Sequence, residues 1–478
     1  MSKNKDNEVS VQFIGNSAID VTGSAVLITF MNKTYLIECG SVQGYSPDKC
    51  YTINSQLISS IDVNKLEVIW LCHNHNDHIG MIPGVVRKEG FHADIFCTHE
   101  TVSLSKIMLL DASHIIGKEA EILSKTKKVS PLYKDEDVLK ACDFMRGCDI
   151  GVTYKINDNV SFKLHNNNHC LGASQLEVFF KKSNNTIKKL VYTSDLGSTL
   201  NKHKPFVTKL EKVTQGNVTV LEGTYGKKDR SFTSKDVYDE KEDLKNKIKL
   251  IIAGGGKVLL PTFSFSRTQE VLVDMYNMFH DDPDFGDTPV IIDSKLSVNI
   301  TNCYKDILKD KNLKLIETVT AWKNVELNKD FEGTKMIIAS SEPCIILSSQ
   351  GFCDAGRSQL YAKNFLTNPK DAILFVGYCP ANSVGGRVQS NKQGGTVKIC
   401  GLDYVKSCFV KSYRTYSSHA QNKELVDYIT SVNSEQVIIH HSDKAAKEEL
   451  IKDAKEALSK VCKTTKVIGS TRNMEFFL

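Results

Sequence analysis

Short apolar runs broken by turn residues open the chain: VSVQFIG, then SAVLITF, then, past the pair Asn32–Lys33, TYLIE. Runs of this length predict a meander of strands. Leu66–Cys72 is apolar almost throughout and predicts a buried strand. Between residues 100 and 146 the apolar positions fall three and four apart beside charged ones, the period of helices. VSFKLH, QLEVFF and KLVYTS return to strand. From about residue 235 the pattern changes. Helical stretches (Asp236–Ile251, Arg267–Phe279) alternate with the short apolar runs KVLLP, PVIID, KMIIAS and AILFVGY. That alternation predicts a parallel sheet flanked by helices. A helix at Asn422–Ile429, the strand QVIIHH and a Lys/Glu-rich helix at Lys444–Val461 close the chain. The expected class is therefore α/β, with a separate α/β unit inserted into a β-rich host. The first ten residues are polar and expected to fray.

Composition narrows this picture without redirecting it. A length of 478 residues suits two to four domains, or two with one interrupting the other. With 41% hydrophobic and 24% charged residues, a disordered chain is excluded as the expectation. A net charge of +5 permits an anionic substrate without arguing for one. The leading MSKNKDNEVS has no apolar core of a secretory signal, and no stretch approaches the roughly 18–20 apolar residues of a spanning helix. The 14 cysteines are scattered, none spaced as CxxC, and read as reduced core thiols. A cytoplasmic protein with no membrane partner is expected.

The chemistry concentrates in LCHNHNDHIG. His73, His75, Asp77 and His78 spell HxHxDH directly after a predicted strand. In an extended segment, residues two apart point to one side, so His73 and His75 can share one metal ion. Asp77 and His78 are adjacent, point elsewhere and suit a second. Imidazole and carboxylate are ligands that borderline divalent ions prefer. A polar loop that is merely His-rich would not need these four fixed positions. His169 in NNNHCLGAS, just before a strand, and Asp195 in VYTSDLG, at a strand end, are weak signals alone. After HxHxDH they are what a two-ion site still lacks.

These residues, in this order, resemble the metallo-β-lactamase superfamily: FIGNSAIDVTGSAVLI, YLIECG, HNHNDH, His169 and Asp195. The resemblance implies a four-layer αββα sandwich with metals at one edge, usually two Zn2+, with Mn2+ as an alternative. LEGTYG (Leu221–Gly226) resembles motif A of the β-CASP branch, the nucleic-acid-processing members. YSSHAQNKEL, with His419, resembles its motif B, and VIIHHSD, with His441, its motif C. PTFSFSRTQEVL and SSQGFCDAGRS are similar to the inserted β-CASP domain. The resemblance covers about residues 10 to 470. It implies a metallo-β-lactamase domain over 1–226, an insertion over 227–412 and a return segment over 413–478.

Carried over residue by residue, the resemblance implies that His73, His75 and His169 bind one metal and Asp77, His78 and His441 the other. Asp195 bridges them, Glu222 orients His419, and His419 faces the scissile phosphate. Two such cations lower the pKa of a bridging water and clamp phosphate oxygens during in-line attack, so Asp77 counts with the catalytic residues. His419 protonates the leaving alkoxide as general acid; the alternative for Glu222 and His419 is a surface salt bridge. The sequence departs from the family pattern in three places. Glu38 replaces the usual motif 1 Asp, and is expected to orient a ligand His with one extra methylene. Motif C, usually HGE, reads His441–Ser442–Asp443, with His440 where an apolar residue is expected. Register favours His441 as ligand, with His440 as its substitute. Phe352 stands where Met is common.

In the insertion, Ser266 and Gln269 form an expected capping box at a helix start. Beside that N-terminus, Arg267 is a candidate for substrate phosphate, against a structural ion pair. Ser294 and the 348–358 turn are weaker candidates for the same backbone track. Gly385–Gly386 with Arg387 reads as an ordinary loop. The expected function is a metal-dependent ribonuclease acting on single-stranded RNA by a two-metal activated hydroxide. The choice of RNA follows the family rule that a motif C His accompanies RNA and a Val accompanies DNA repair. The alternatives are a DNA nuclease of the same fold, or a metal-binding, non-catalytic scaffold in an RNA-processing complex. A lactamase or thioesterase would need neither the insertion nor Glu222 and His419. The resemblance allows a homodimer; no apolar stripe demands one.

Overall fold

The computed structural model describes residues 7–478. Of the ten leading residues expected to fray, 1–6 lie outside those described, and Ser10 already opens a strand. The chain divides into two compact units. The first comprises residues 1–199, 207–231 and 418–478; the second comprises 200–206 and 232–417. The two junctions lie at 231/232 and 417/418, where the sequence placed them at 226/227 and 412/413. The short segment 200–206 also belongs to the second unit.

Two seven-stranded sheets build the first unit. In order, the first runs Glu475–Phe477, Ser10–Phe13, Val26–Phe30, Lys33–Ile37, Leu66–Trp70, Asp94–Thr98 and Met145–Cys148. The second runs Lys466–Gly469, Gln436–His440, Val218–Glu222, Ile187–Tyr192, Ser174–Lys181, Val160–Asn166 and Thr153–Lys155. Alternation sends Ile28, Phe30, Tyr35 and Trp70 of the first sheet against Phe162, Val178, Phe180 and Leu190 of the second in one buried core. The opposite face of the first sheet packs Leu36, Ile69 and Ile95 under helices that supply Leu57, Val85, Leu109 and Val138. The outer face of the second packs Leu221 and Ile439 under Leu425, Tyr428, Leu450 and Ala454. The layers are helix, sheet, sheet, helix, the αββα sandwich that the sequence resemblance implies.

The second unit centres on six strands, all pairing in parallel: Val325–Asn328, Val290–Asp293, Ile345–Ser348, Val258–Pro261, Ala372–Phe375 and Phe409–Ser412. Parallel strands buried on both faces need continuous apolar sequence, as VLLP, VIID, IILS and AILF supply.

Four local readings are corrected. KMIIAS, read as a strand, lies in the helix Phe331–Ala339 and its C-cap, started by Asp330, whose side chain accepts from the Gly333 N–H at 2.7 Å. The strand of that region is Ile345–Ser348 instead. The first tight turn is Met31–Asn32, both at positive φ (48° and 60°), one residue ahead of the expected pair. A two-residue hairpin of this kind requires positive φ at both positions. Gly385, Gly386 and Arg387 are helical, within Val384–Ser390, because the Ser383 hydroxyl caps the Gly386 N–H at 3.0 Å. The capping box at Ser266 does not form. Its backbone is at φ 70°, ψ −64°, and the Arg267 N–H donates to the Phe265 carbonyl at 2.9 Å. This is a φ-positive γ-turn, a strained conformation. Ser266 Oγ turns to Glu270 at 2.8 Å rather than to a helix N–H.

Among the described residues all 14 cysteines are free, and no helix is long and apolar enough to cross a membrane.

Candidate metal centre

The strand Leu66–Trp70 ends just before the histidine motif, and a single helical turn, Asn76–Ile79, follows. His75 remains extended (φ −66°, ψ 142°), so it and His73 converge, while the turn carries Asp77 and His78 away. Asn74, between the two histidines, points into the protein. Its amide donates to the Thr101 carbonyl at 2.9 Å, and its oxygen accepts from Ser105 at 2.8 Å. Nothing in the sequence singled out Asn74 or Ser105, yet they fix the side from which both ligands emerge.

Three segments close on this motif. His73 Nε2 lies 3.1 Å from His75 Nδ1, which lies 3.1 Å from His169 Nε2. Asp195 Oδ2 stands 3.7 Å from His73 Nε2 and 3.6 Å from His169 Nε2. Tetrahedral Zn–N and Zn–O bonds place ligand atoms about 3.3–3.6 Å apart, so this spacing fits one ion. A second group adjoins it. Asp77 Oδ2 is 3.6 Å from His78 Nε2 and 3.4 Å from His441 Nε2, and Asp195 Oδ2 is 3.4 Å from His78 Nε2. Asp195 is thus common to both groups. The Nε2 atoms of His78 and His441 are buried without a hydrogen-bond partner. Buried polar nitrogens are otherwise nearly always satisfied, so this donor set suits a divalent cation.

Two glycines let the segments meet. A Cβ on Gly40 would overlap the carbonyl oxygen of Asp77, and one on Gly197 that of Asn168. Backbone bonds run across the first contact, from the Cys39 N–H to the His78 carbonyl (2.9 Å) and from the Ser24 N–H to the Asp77 carbonyl (2.8 Å).

Glu38 is fully buried and serves the histidines from behind. Its Oε2 is 2.7 Å from His78 Nδ1 and accepts from Tyr192 at 2.8 Å; its Oε1 accepts from Ser194 at 2.7 Å. Glu38 itself sits at φ 59°. Burial opposes its charge, but His78 and these hydrogen bonds hold the carboxyl below the usual range. Tyr192 and Ser194 were not identified from sequence; the only signal is that they precede Asp195 at the end of an apolar strand.

Burial, reinforced by His78 and His75, pushes His73 well below its usual pKa, and burial outweighs Asp77 and Asp195 to bring His75 down to about 4. Neutral imidazole is the form that binds metal. Burial would raise Asp195, but His441, His78 and His419 hold it well down, as an anion.

His419 stands beside the cluster. Its Nδ1 is 3.1 Å from Glu222 Oε1 and its Nε2 is 3.9 Å from Asp195 Oδ2. Glu222 is itself fixed by the N–H groups of Leu196 (3.1 Å) and Thr224 (2.7 Å). Burial disfavours the imidazolium, but Glu222 and then Asp195 outweigh it and raise the His419 pKa. The side chain keeps 19% exposure, enough to reach a ligand.

His440 and His441 separate cleanly. His441, at φ 49°, turns toward Asp77 and Asp195, whereas His440 is buried away from them, against Phe13.

The three second-unit candidates sit as follows. Arg267 is buried, with Nε 3.2 Å from Glu270 and Nη1 donating to the Val376 carbonyl at 2.7 Å. Ser266 engages Glu270. Ser294 caps the helix Lys295–Ile307 by accepting from the Ser297 N–H at 3.2 Å, and its hydroxyl meets Ser349 at 2.6 Å.

The chain is similar to known proteins. A family profile described as "Beta-Casp domain" matches residues 268–388, and "Zn-dependent metallo-hydrolase RNA specificity domain" matches 404–464. A ribonuclease of Thermus thermophilus is 26% identical over 419 residues, 86% of this chain and 89% of that one. The transcription termination factor FttA of Methanocaldococcus jannaschii is 26% identical across 92% of this chain and 68% of its own length. Cleavage and polyadenylation specificity factor 73 of Drosophila melanogaster is 22% identical across 89% and 58%. A crystal structure of a protein of unknown function from Enterococcus faecalis shares the fold, with a TM-score of 0.52 at 11% identity over 98% of this chain and 100% of that one. Motifs, layers and profiles converge: they support a member of the β-CASP branch of the metallo-β-lactamase superfamily.

Proposed function

We propose that this chain is a metal-dependent ribonuclease that hydrolyses phosphodiester bonds of single-stranded RNA. The observation that carries the reading is the pairing of two ligand groups sharing Asp195 with a carboxylate-bound histidine beside them. His73, His75, His169 and Asp195 would hold one ion, and Asp77, His78, His441 and Asp195 the other. Two Zn2+ suit this nitrogen-rich set, with Mn2+ as an alternative. When bound, the ions supply an activated water and neutralise charge on the phosphate.

The remaining work falls to side chains. Asp195 balances the charge between the two groups. Glu38 keeps His78 Nδ1 occupied, so that Nε2 faces the ligand position. Glu222 holds His419 through Nδ1, leaving Nε2–H as the proton that can be given to the leaving alkoxide. RNA rather than DNA is supported by the motif C histidine and by the similarity to the Thermus ribonuclease.

The test is cleavage of matched end-labelled single-stranded RNA and DNA, with Zn2+ or Mn2+, by wild type and His419→Ala. Wild type should cut RNA. His419→Ala should cut roughly 10²–10⁴-fold more slowly while holding the same metal content. Undiminished cutting by the variant would remove His419 as the acid. Cutting of DNA alone would overturn the RNA assignment. No cutting by a fully metallated wild type would leave the scaffold reading in possession.

A further inference from the structure

Behind His441 lies a closed chain of buried polar groups in a place where the sequence pattern calls for an apolar residue. His440, 1% exposed, ends the strand Gln436–His440 and stacks on Phe13 at 4.7 Å. Both of its ring nitrogens are engaged: Nε2 with Ser17 Oγ at 2.9 Å and Nδ1 with Ser470 Oγ at 3.2 Å. Ser470 Oγ donates its only proton to the Ala18 carbonyl at 2.9 Å. It must therefore accept from His440 Nδ1–H, and Ser17 must donate to Nε2. The buried ammonium of Lys447 fastens the far end, donating to the Ala18 carbonyl at 2.7 Å and the Ser470 carbonyl at 2.9 Å. Together these links tie the short helix Asn16–Ala18, the end of the strand and the segment around Ser470 to one another.

This chain bears directly on one metal ligand. The His441 N–H donates to the carbonyl of Ser17 at 2.9 Å, so one residue holds the His440 ring by its hydroxyl and the His441 backbone by its carbonyl. His441 needs such a hold. Its φ of 49° is a left-handed conformation that a residue with a Cβ adopts only when its surroundings impose it.

We propose that His440, through Ser17 and Ser470, is a positioning residue that fixes His441 toward Asp77 and so sets the affinity of the second ligand group but not of the first. The proposal rests on the two-group reading above and deepens it. An apolar side chain at 440 would leave the hydroxyls of Ser17 and Ser470 without their ring partners. The turn that presents His441 could then relax. Loss of an outer hydrogen-bond partner typically weakens metal binding 10–100-fold.

The test is Co2+ titration of the metal-free full chain, followed by its visible absorption and by calorimetry, for wild type, His440→Leu, Ser470→Ala and the triple variant Ser17→Ala/His440→Phe/Ser470→Ala. Wild type binding two equivalents is the control on the two-group reading; a single equivalent would sink that reading itself. Given two, His440→Leu and Ser470→Ala should bind the first as wild type does and the second roughly 10–100-fold more weakly. The triple variant has no unpaired hydroxyl in this chain, so it should recover thermal stability without recovering the second equivalent. Unchanged affinity for both equivalents in His440→Leu overturns the proposal. So does parallel weakening of both equivalents, or recovery of both in the triple variant, since either result marks the chain as a purely structural element.

Discussion

At the residue scale, the site is a set of histidines whose two nitrogens have different duties. His419 shows this most directly, with Nδ1 on Glu222 and Nε2 toward Asp195. Because the Glu222 charge raises the His419 pKa against the effect of burial, the acid form persists above the ordinary value for histidine. Activity that depends on that proton is lost as pH rises through the raised pKa. In Glu222→Gln the pKa falls, so the alkaline limb of the pH–kcat profile should move to lower pH. A limb that stays in place would detach Glu222 from His419. The candidate ligands at 73–78 were legible because ligand chemistry uses few residue types, four of them within those six positions, while His441 was legible only through the resemblance. The residues that aim them were not. Asn74, Ser105, Tyr192 and Ser194 are common types separated by up to 120 positions, and only their burial against Glu38 or the His73–His75 segment gives them meaning.

At the scale of elements, periodicity carried the strands and the inserted parallel sheet, the family resemblance carried the sandwich, and periodicity failed where capping outweighed it. Met336, Ile337 and Ile338 form an apolar triplet that suits a strand by composition. Asp330 starts a helix there instead, and Met336 remains 72% exposed. Removing that cap in Asp330→Ala should cost about 1 kcal/mol. The loss should be read as a lower denaturation midpoint with an unchanged slope; an unchanged midpoint would show that tertiary packing alone holds the helix. The γ-turn at Ser266 was illegible for a related reason. Its sequence fits a capping box, and only the competition between Glu270 and the helix N–H groups for the serine hydroxyl decides otherwise.

At the scale of the whole molecule, every residue of the two ligand groups lies in the first unit, none in the second. Metal should therefore stabilise one unit selectively. With free Zn2+ at 100 times its dissociation constant, the gain is about 2.7 kcal/mol. For a unit of this size that is roughly 4–5 °C in Tm. Scanning calorimetry should show two transitions, of which chelation lowers one; a single transition that moves as a whole would refute this. The first unit is nonetheless discontinuous. His73 and His441 face a common centre, yet 186 residues of the second unit, 232–417, are threaded between the segments that carry them. On a ribosome, then, the early ligands are made long before the late ones. Until residue 419 has emerged the growing chain lacks His419, and until residue 441 it lacks a complete second ligand group. A chain made in this order closes its second ligand group only when the reading of its own message is almost finished.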